Sequence, residues 1–201
     1  MKKLKIGIDI DNVIADSYPS FLSNFNKVFA TRIKYEEIYD FYYLEKHTGI
    51  SHIETKKFIN RILVDEEIQL NIPPYKDVQK ILSAWIKAGH KIHYITSRPN
   101  TTRDITYKWL EKHGFLHPGT TLDLFNAAQH FDKHRKVIME YKKTIAQNRG
   151  VELFIEDSKE IAETMEIPVL LLDRPWNKGK LKKNIKRVRD WSEIDKFVGK
   201  S

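Results

Sequence analysis

The chain has 201 residues, 41% of them hydrophobic and 31% charged, and contains no cysteine. That is enough to bury a real core in one domain with an elaboration, and it excludes disulfides and thiolate metal sites. The formal charge of +8 admits an anionic substrate or a nucleic acid. Most of that charge, in Lys178, Lys180, Lys182, Lys183, Lys186, Arg187 and Arg189 and in a second group from Lys133 to Lys143, reads as solvated surface, and no nucleic-acid-binding signature accompanies it.

The start, Met1-Lys2-Lys3-Leu4, is signal-like for three residues, but Asp9 and Asp11 interrupt the apolar stretch that follows. No signal h-region and no membrane-crossing run results, so a cytoplasmic protein without a membrane partner is the simplest reading. Leu4 to Ile10, a short apolar run broken by Gly7, predicts a strand. It ends in Asp9-Ile10-Asp11-Asn12-Val13-Ile14. Two carboxylates so placed repel each other, and a divalent cation or a shared proton is the usual relief. Taken alone, they are better read as turn or N-cap residues ahead of a helix near Ser17.

Tyr18, Phe21, Leu22, Phe25, Val28 and Phe29 then recur at helical spacing. A second aromatic-rich helix is expected over Tyr35 to Tyr43. A third runs from about Ile53 to Leu63, with Ile53, Phe58, Ile59, Ile62 and Leu63 on one side. Pro73-Pro74 stops this block. Val78, Ile81, Leu82, Trp85 and Ile86 mark an amphipathic helix ended by Gly89.

From there strands and helices alternate: a strand over Lys91 to Thr96, a helix over Thr102 to His113, a strand over Thr121 to Phe125, and a long polar helix or broken pair over Asp132 to Asn148. A strand over Val151 to Ile155, a helix over Lys159 to Met165 and a strand over Pro168 to Leu172 follow. This alternation predicts an α/β fold, a doubly wound, Rossmann-like parallel sheet. The helical block is expected to be an all-helical cap over 17–74, inserted after the first strand into a core of 1–16 plus 75–201. The tail from Trp176 is basic and loosely patterned, with a short helix near Trp191 to Val198.

The chemistry gathers at strand ends. The second strand closes in Ile95-Thr96-Ser97-Arg98-Pro99, hydroxyls ahead of a helix that can cradle a phosphate, or that can simply satisfy nearby backbone. The later strand closes in Phe154-Ile155-Glu156-Asp157, where Glu156 is also a candidate helix cap. A parallel sheet collects such ends on one edge, where open α/β folds bind their ligands. Asp9, Asp11 and Asp157 should therefore converge, and three carboxylates around one point suit a hard cation, Mg²⁺ best. A lysine to balance phosphate charge is then expected, and Lys142, Lys143, Lys136 and Lys133 are all candidates.

These four segments resemble the four motifs of the haloacid dehalogenase superfamily of phosphohydrolases, and in detail its 5′(3′)-deoxyribonucleotidase-like branch, where motif I often ends in valine, as at Val13. The resemblance covers nearly the whole chain. Asn12 stands where glycine is common, and Glu156 departs from the usual Asp-Asp pair. The third motif fits best with Lys142. The resemblance implies a Mg²⁺-dependent phosphomonoesterase, most plausibly a 5′-nucleotidase, with Asp9 as nucleophile and Asp11 as acid and base. It further implies metal ligands in Asp9, Asp11 (through its carbonyl) and Asp157, supported from outside by Glu156, and phosphate or substrate contacts from Thr96, Ser97, Arg98 and Lys142. Aromatics among Tyr18, Phe21, Phe25, Tyr39, Phe41, Tyr42 and Tyr43 are expected to face a small phosphate-ester substrate or to form the cap's own core. Asp173-Arg174-Pro175-Trp176-Asn177 is expected to close one side of the pocket. A sugar phosphate as substrate, or a non-catalytic binding protein reusing the fold, are the alternatives, and a homodimer is compatible with all of them.

Overall fold

The computed structural model describes residues 2–40, 44, 48–126 and 134–199. Phe41, Tyr42, Tyr43 and Lys133 lie outside these residues. Six parallel strands form one sheet in the order β3-β2-β1-β4-β5-β6, with β1 Lys5–Ile8, β2 Lys91–Pro99, β3 Thr121–Phe125, β4 Leu153–Glu156, β5 Val169–Leu172 and β6 Ile185–Val188. The helices are α1 Ser17–Phe29, α2 His52–Val64, α3 Glu66–Leu70, α4 Val78–Lys87, α5 Arg103–Lys112, α6 His134–Arg149, α7 Lys159–Ala162 and α8 Trp191–Val198. The predicted doubly wound α/β sheet is the one observed.

The sheet is buried on both faces, so its central strands are continuous apolar runs rather than alternating ones. Consecutive residues nonetheless go to opposite sides. Ile155, Leu170 and Tyr94 join a cluster with Leu82 and Trp85 of α4, Trp109 of α5 and Ile194 of α8. Phe154, Leu171 and Ile95 join the opposite cluster with Ala146 of α6 and Ile161 of α7. Gly7 has a steric reason to be glycine: a Cβ there would lie 2.6 Å from Cδ2 of the Phe154 ring on the neighbouring strand.

β6 was not expected from the sequence. Its Ile185 and Val188 are buried while Lys186 is exposed, so the basic residues that hide the strand in the sequence sit at an edge with solvent access.

Between β1 and β2 the described residues contain helices and no strand of the sheet. The two chain passages into this segment run side by side, with Asp16 N–H donating to Pro73 O at 2.8 Å and Tyr75 N–H to Ile14 O at 2.9 Å. The segment has its own core. Tyr18, Leu22 and Phe25 of α1 and Phe58 and Ile62 of α2 pack with Ile38, Leu44 and Trp176, at the i, i+4, i+7 spacing that puts side chains on one helix face. α2 starts with a capping box, Ser51 Oγ accepting from Glu54 N–H and Glu54 Oε2 from Ser51 N–H. Ile53, expected on the inner side, is exposed in the first turn. Of the aromatic helix expected over Tyr35 to Tyr43, the described part is a short 3₁₀ turn, Tyr35–Glu37, followed by irregular chain to Asp40. No helix among the described residues is long and apolar enough to cross a membrane.

Candidate active site

β1 and β4 are hydrogen-bonded neighbours, Ile8 pairing with Ile155, so Asp9 and the Glu156-Asp157 pair leave the sheet together at its carboxyl edge. The register continues one residue beyond the strand, where Asp9 N–H donates to Ile155 O at 3.1 Å. The ligand-capable oxygens of Asp9, Glu156 and Asp157 lie within 4.8 Å of one another, and all three residues are buried. Asp11 is not in that group.

A buried lysine stands between two of these acids. Lys142, on α6 and 0% exposed, places Nζ 2.7 Å from Asp9 Oδ2 and 2.9 Å from Glu156 Oε2. Lys143, one residue on, points to the surface and pairs with Glu166. Lys136 is exposed. Asp9 Oδ1 accepts from Ile10 N–H at 2.8 Å, which fixes its carboxylate at both oxygens. Glu156 Oε1 accepts from the N–H groups of Asp157 and Ser158, 3.1 Å each. Glu156 thus satisfies backbone ahead of α7 and pairs with Lys142 at once, while the cap of α7 is Ser158, whose Oγ accepts from Ile161 N–H.

Asp11, close enough to Asp9 and Lys142 to feel their charge, has a different partner. Arg98 of β2 grips it with two parallel bonds, Nε to Oδ2 and Nη2 to Oδ1, both 2.8 Å, the bidentate geometry that suits guanidinium and carboxylate. The sequence placed Arg98 with the substrate; its guanidinium is engaged by Asp11 and lies 3.5 Å from Thr106 Oγ1. Thr96 Oγ1 accepts from Arg98 N–H at 3.2 Å and is buried, whereas Ser97 is half-buried. The Asp11 side chain, 31% exposed, is the most open of the acidic groups here.

Asn12 has a left-handed backbone, φ 58°, which asparagine tolerates better than most residues. Its Oδ1 accepts from Tyr18 N–H at 2.9 Å and from Ser17 Oγ at 3.2 Å. The first turn of α1 is therefore held by a side chain from the Asp9–Asn12 loop and not by Asp16, the residue next to it in sequence. The carbonyl of Asn12 accepts from Arg174 Nη2 at 2.7 Å and Nε at 3.2 Å.

The turn after β5 does reach this edge, as expected for Asp173 to Asn177, and two contacts there could not be read from the sequence. Trp176 Nε1–H donates to Asp157 Oδ2 at 3.1 Å, and Asn177 Nδ2 donates to Asp157 O at 2.7 Å. No local pattern pairs residues so far apart in the chain.

The electrostatics are unbalanced. Asp9, Asp11, Glu156 and Asp157 face Lys142 and Arg98, four acids against two bases. Burial raises the Asp9 carboxyl to about 7 against the pull of Lys142, with Glu156 and Asp11 adding to the rise. Burial, then Glu156 and Asp9, hold Asp157 well above the usual carboxylate range. Asp11 is different: burial would raise it, but Arg98 outweighs burial and lowers it. Burial alone would lower Lys142, and the two carboxylates raise it. Among the described residues no cation ion-pairs with Asp157. Buried carboxylates with surplus negative charge and all-oxygen donors fit a hard divalent cation.

Residues 2–201 match the family described as 5′ nucleotidase, deoxy (pyrimidine), cytosolic type C protein. A nucleotidase of Clostridium acetobutylicum is 26% identical over 197 residues, covering 96% of this chain and 93% of that one. YqfW of Bacillus subtilis is 29% identical over 199 residues, covering 97% and 93%. Among solved structures, a predicted phosphatase from Clostridium acetobutylicum superposes with a TM-score of 0.71 at 10% identity over the whole of both chains. The magnesium-bound HAD-hydrolase structure of Bacillus subtilis YfnB gives 0.60 at 13% identity, covering 98% and 100%. At such identities these two structures establish the shared fold, while the match along the full sequence establishes the family. The chain belongs to the deoxy-type 5′-nucleotidase family, with a fold shared with a HAD-hydrolase.

Proposed function

We propose that the protein is a Mg²⁺-dependent 5′-nucleotidase that hydrolyses (deoxy)ribonucleoside monophosphates through a phosphorylated Asp9. The observation that carries this reading is the Asp9–Lys142–Glu156 chain with Asp157 beside it. It is a buried cluster at the sheet edge with more acids than bases, and its basic group stands beside the candidate nucleophile. Asp9 and Asp157 would hold the cation with the Asp11 carbonyl, and Glu156, committed to Lys142 and two backbone N–H groups, would support them from outside. When bound, Mg²⁺ would supply the positive charge that keeps Asp9 ionised and offsets that of the phosphate.

The chain's own residues account for the remaining steps. Asp9, with its carboxylate already oriented, attacks phosphorus in line and the phosphorus–ester oxygen bond breaks. Asp11 protonates the departing alkoxide and later removes a proton from the water that splits the acyl phosphate. Its tie to Arg98 keeps it ionised at rest, so it takes up a proton from solvent before the first step. Lys142 has three N–H donors, two of them directed at Asp9 and Glu156, which leaves one for a phosphoryl oxygen. Thr96 and Ser97 supply hydroxyls on the neighbouring strand end, and Arg98 acts on the substrate by way of Asp11. The helical segment 17–74 serves as the cap, its aromatic side shielding the ester from water and selecting the nucleoside. The family description, a cytosolic type, supports a free nucleotide in the cytoplasm as the matching substrate.

The test is phosphate release from a panel of deoxyribonucleoside, ribonucleoside and sugar monophosphates, with Mg²⁺ and with excess EDTA. Metal-dependent release led by a nucleoside monophosphate is expected. Undiminished turnover in EDTA, or a sugar phosphate leading the panel, defeats the assignment.

A further inference from the structure

Trp176 follows β5, yet its ring belongs to the core of the helical segment. It packs 4.7 Å from the Tyr18 ring at an interplanar angle of 31° and 5.7 Å from the Tyr35 ring at 77°, within the cluster of Phe25, Phe58 and Ile62. Its indole N–H, on the other side, donates to Asp157 Oδ2 at 3.1 Å. One side chain therefore touches both the aromatic packing of segment 17–74 and a candidate metal-binding carboxylate.

The backbone beneath Trp176 is anchored. Asn177 is fully buried and donates to Asp157 O and Leu172 O, 2.7 Å each. Arg187 of β6 holds Asn177 in turn, donating to its Oδ1 and, at 2.7 Å, to its main-chain carbonyl. With the main chain fixed by the sheet, the orientation of the indole is set by the rings around it, and these come from the helical segment.

We propose that Trp176 is a positioning residue through which the packing of segment 17–74 sets the orientation of the Asp157 carboxylate, and so the affinity of the metal site. This rests on the metal-dependent reading above. A carboxylate oxygen that accepts an indole N–H is oriented before a cation arrives, and partners of this kind are worth roughly 10–100-fold in metal affinity. Tyr35 touches no candidate ligand among the contacts described, yet it braces the indole, so its loss should reach the metal.

The wild-type chain permits a test that no folding defect can confuse. It has four tryptophans, and their indole N–H groups have different acceptors: Trp85 meets Asp195, Trp109 meets Ile72 O and Trp191 meets Val13 O. In ¹⁵N-indole NMR spectra, Mg²⁺ alone should move the Trp176 resonance, identified by its loss in Trp176→Phe, and leave those of Trp85 and Trp109 in place. By calorimetry with Mg²⁺ alone, Trp176→Phe, which keeps a ring between Tyr18 and Tyr35, should bind roughly 10–100-fold more weakly. Tyr35→Leu should bind more weakly by at least threefold and shift the Trp176 indole before metal is added. An unmoved Trp176 resonance in Mg²⁺, wild-type affinity in Trp176→Phe, or wild-type affinity in Tyr35→Leu each overturns the proposal. Asp157→Ala separates the two levels: if wild type does not bind Mg²⁺, or binds it no better than this variant, the metal reading itself fails and the positioning role fails with it.

Discussion

The carboxyl edge of the sheet and the helical segment both hide their side chains from water, and they do it by opposite means. At the sheet edge, Asp9, Asp11, Asp157, Glu156, Lys142 and Arg98 are held by directional contacts, several of them with both ends charged. In the helical segment, Tyr18, Phe21, Phe25, Phe29 and Phe58 pack by shape, with ring centroids 4.7 to 6.3 Å apart. Directional contacts fail when one atom changes identity, whereas volume-filling contacts fail in proportion to the volume removed. The first region should therefore tolerate almost no isosteric change, and the second should tolerate reshaping.

The largest effect should come from changing one atom of the motif I acids. Asp9→Asn should abolish phosphoenzyme formation on every ester. Asp11→Asn should lower turnover of a natural nucleotide by about 10²–10⁴-fold. It should recover in part with nitrophenyl phosphate, whose leaving group needs no proton. Rapid-quench mass spectrometry on that ester should then find a species heavier by ~80 Da, one phosphoryl group in place of a proton. If both variants turn over both esters like wild type, these acids are turn residues.

Lys142→Met comes next. It keeps most of the side chain's bulk but leaves Asp9 and Glu156 buried without their cation, which should cost about 3–5 kcal/mol in urea unfolding without metal. A loss below about 1 kcal/mol would mean that the acids share a proton and need no lysine. Gly7→Ala, beneath the site, should cost about 1–3 kcal/mol, because the added carbon meets the Phe154 ring between two central strands that cannot separate. Phe25→Leu in the helical segment should be the mildest, about 1 kcal/mol, with turnover of nitrophenyl phosphate within twofold of wild type. A collapse of that turnover in a folded variant would place the segment in the chemistry and erase the contrast between the regions.

The two regions also differed in how far they could be read. The sheet was legible because strands buried on both faces are unbroken apolar runs, as in Val169–Leu172. Acids that appear abruptly after such runs, Asp9 and Glu156-Asp157, must emerge on one edge when the strands are parallel. β6 was not legible, because Lys186 and Arg187 between Ile185 and Val188 look like part of the basic tail until an edge lets them face outward. In the helical segment α1 was plain from its spacing, while Tyr35 lies in a 3₁₀ turn that periodicity does not report.

Among the single residues, the partners of Arg98 and of Trp176 were beyond the sequence. Arg98 adjoins the Thr96-Ser97 hydroxyls in the chain, which suggests a substrate role, yet its guanidinium reaches across to Asp11 on the neighbouring strand end. The sequence by itself determined the alternation of elements, and with it the convergence of Asp9 and Asp157, because both follow from local periodicity and the rule that parallel strands point one way. Only the tertiary structure decided which lysine is buried, where Arg98 points and that Trp176 joins Asp157 to the helical segment. Those are contacts between residues distant in the chain, and their geometry depends on how α6, the strand ends and the turn after β5 pack together.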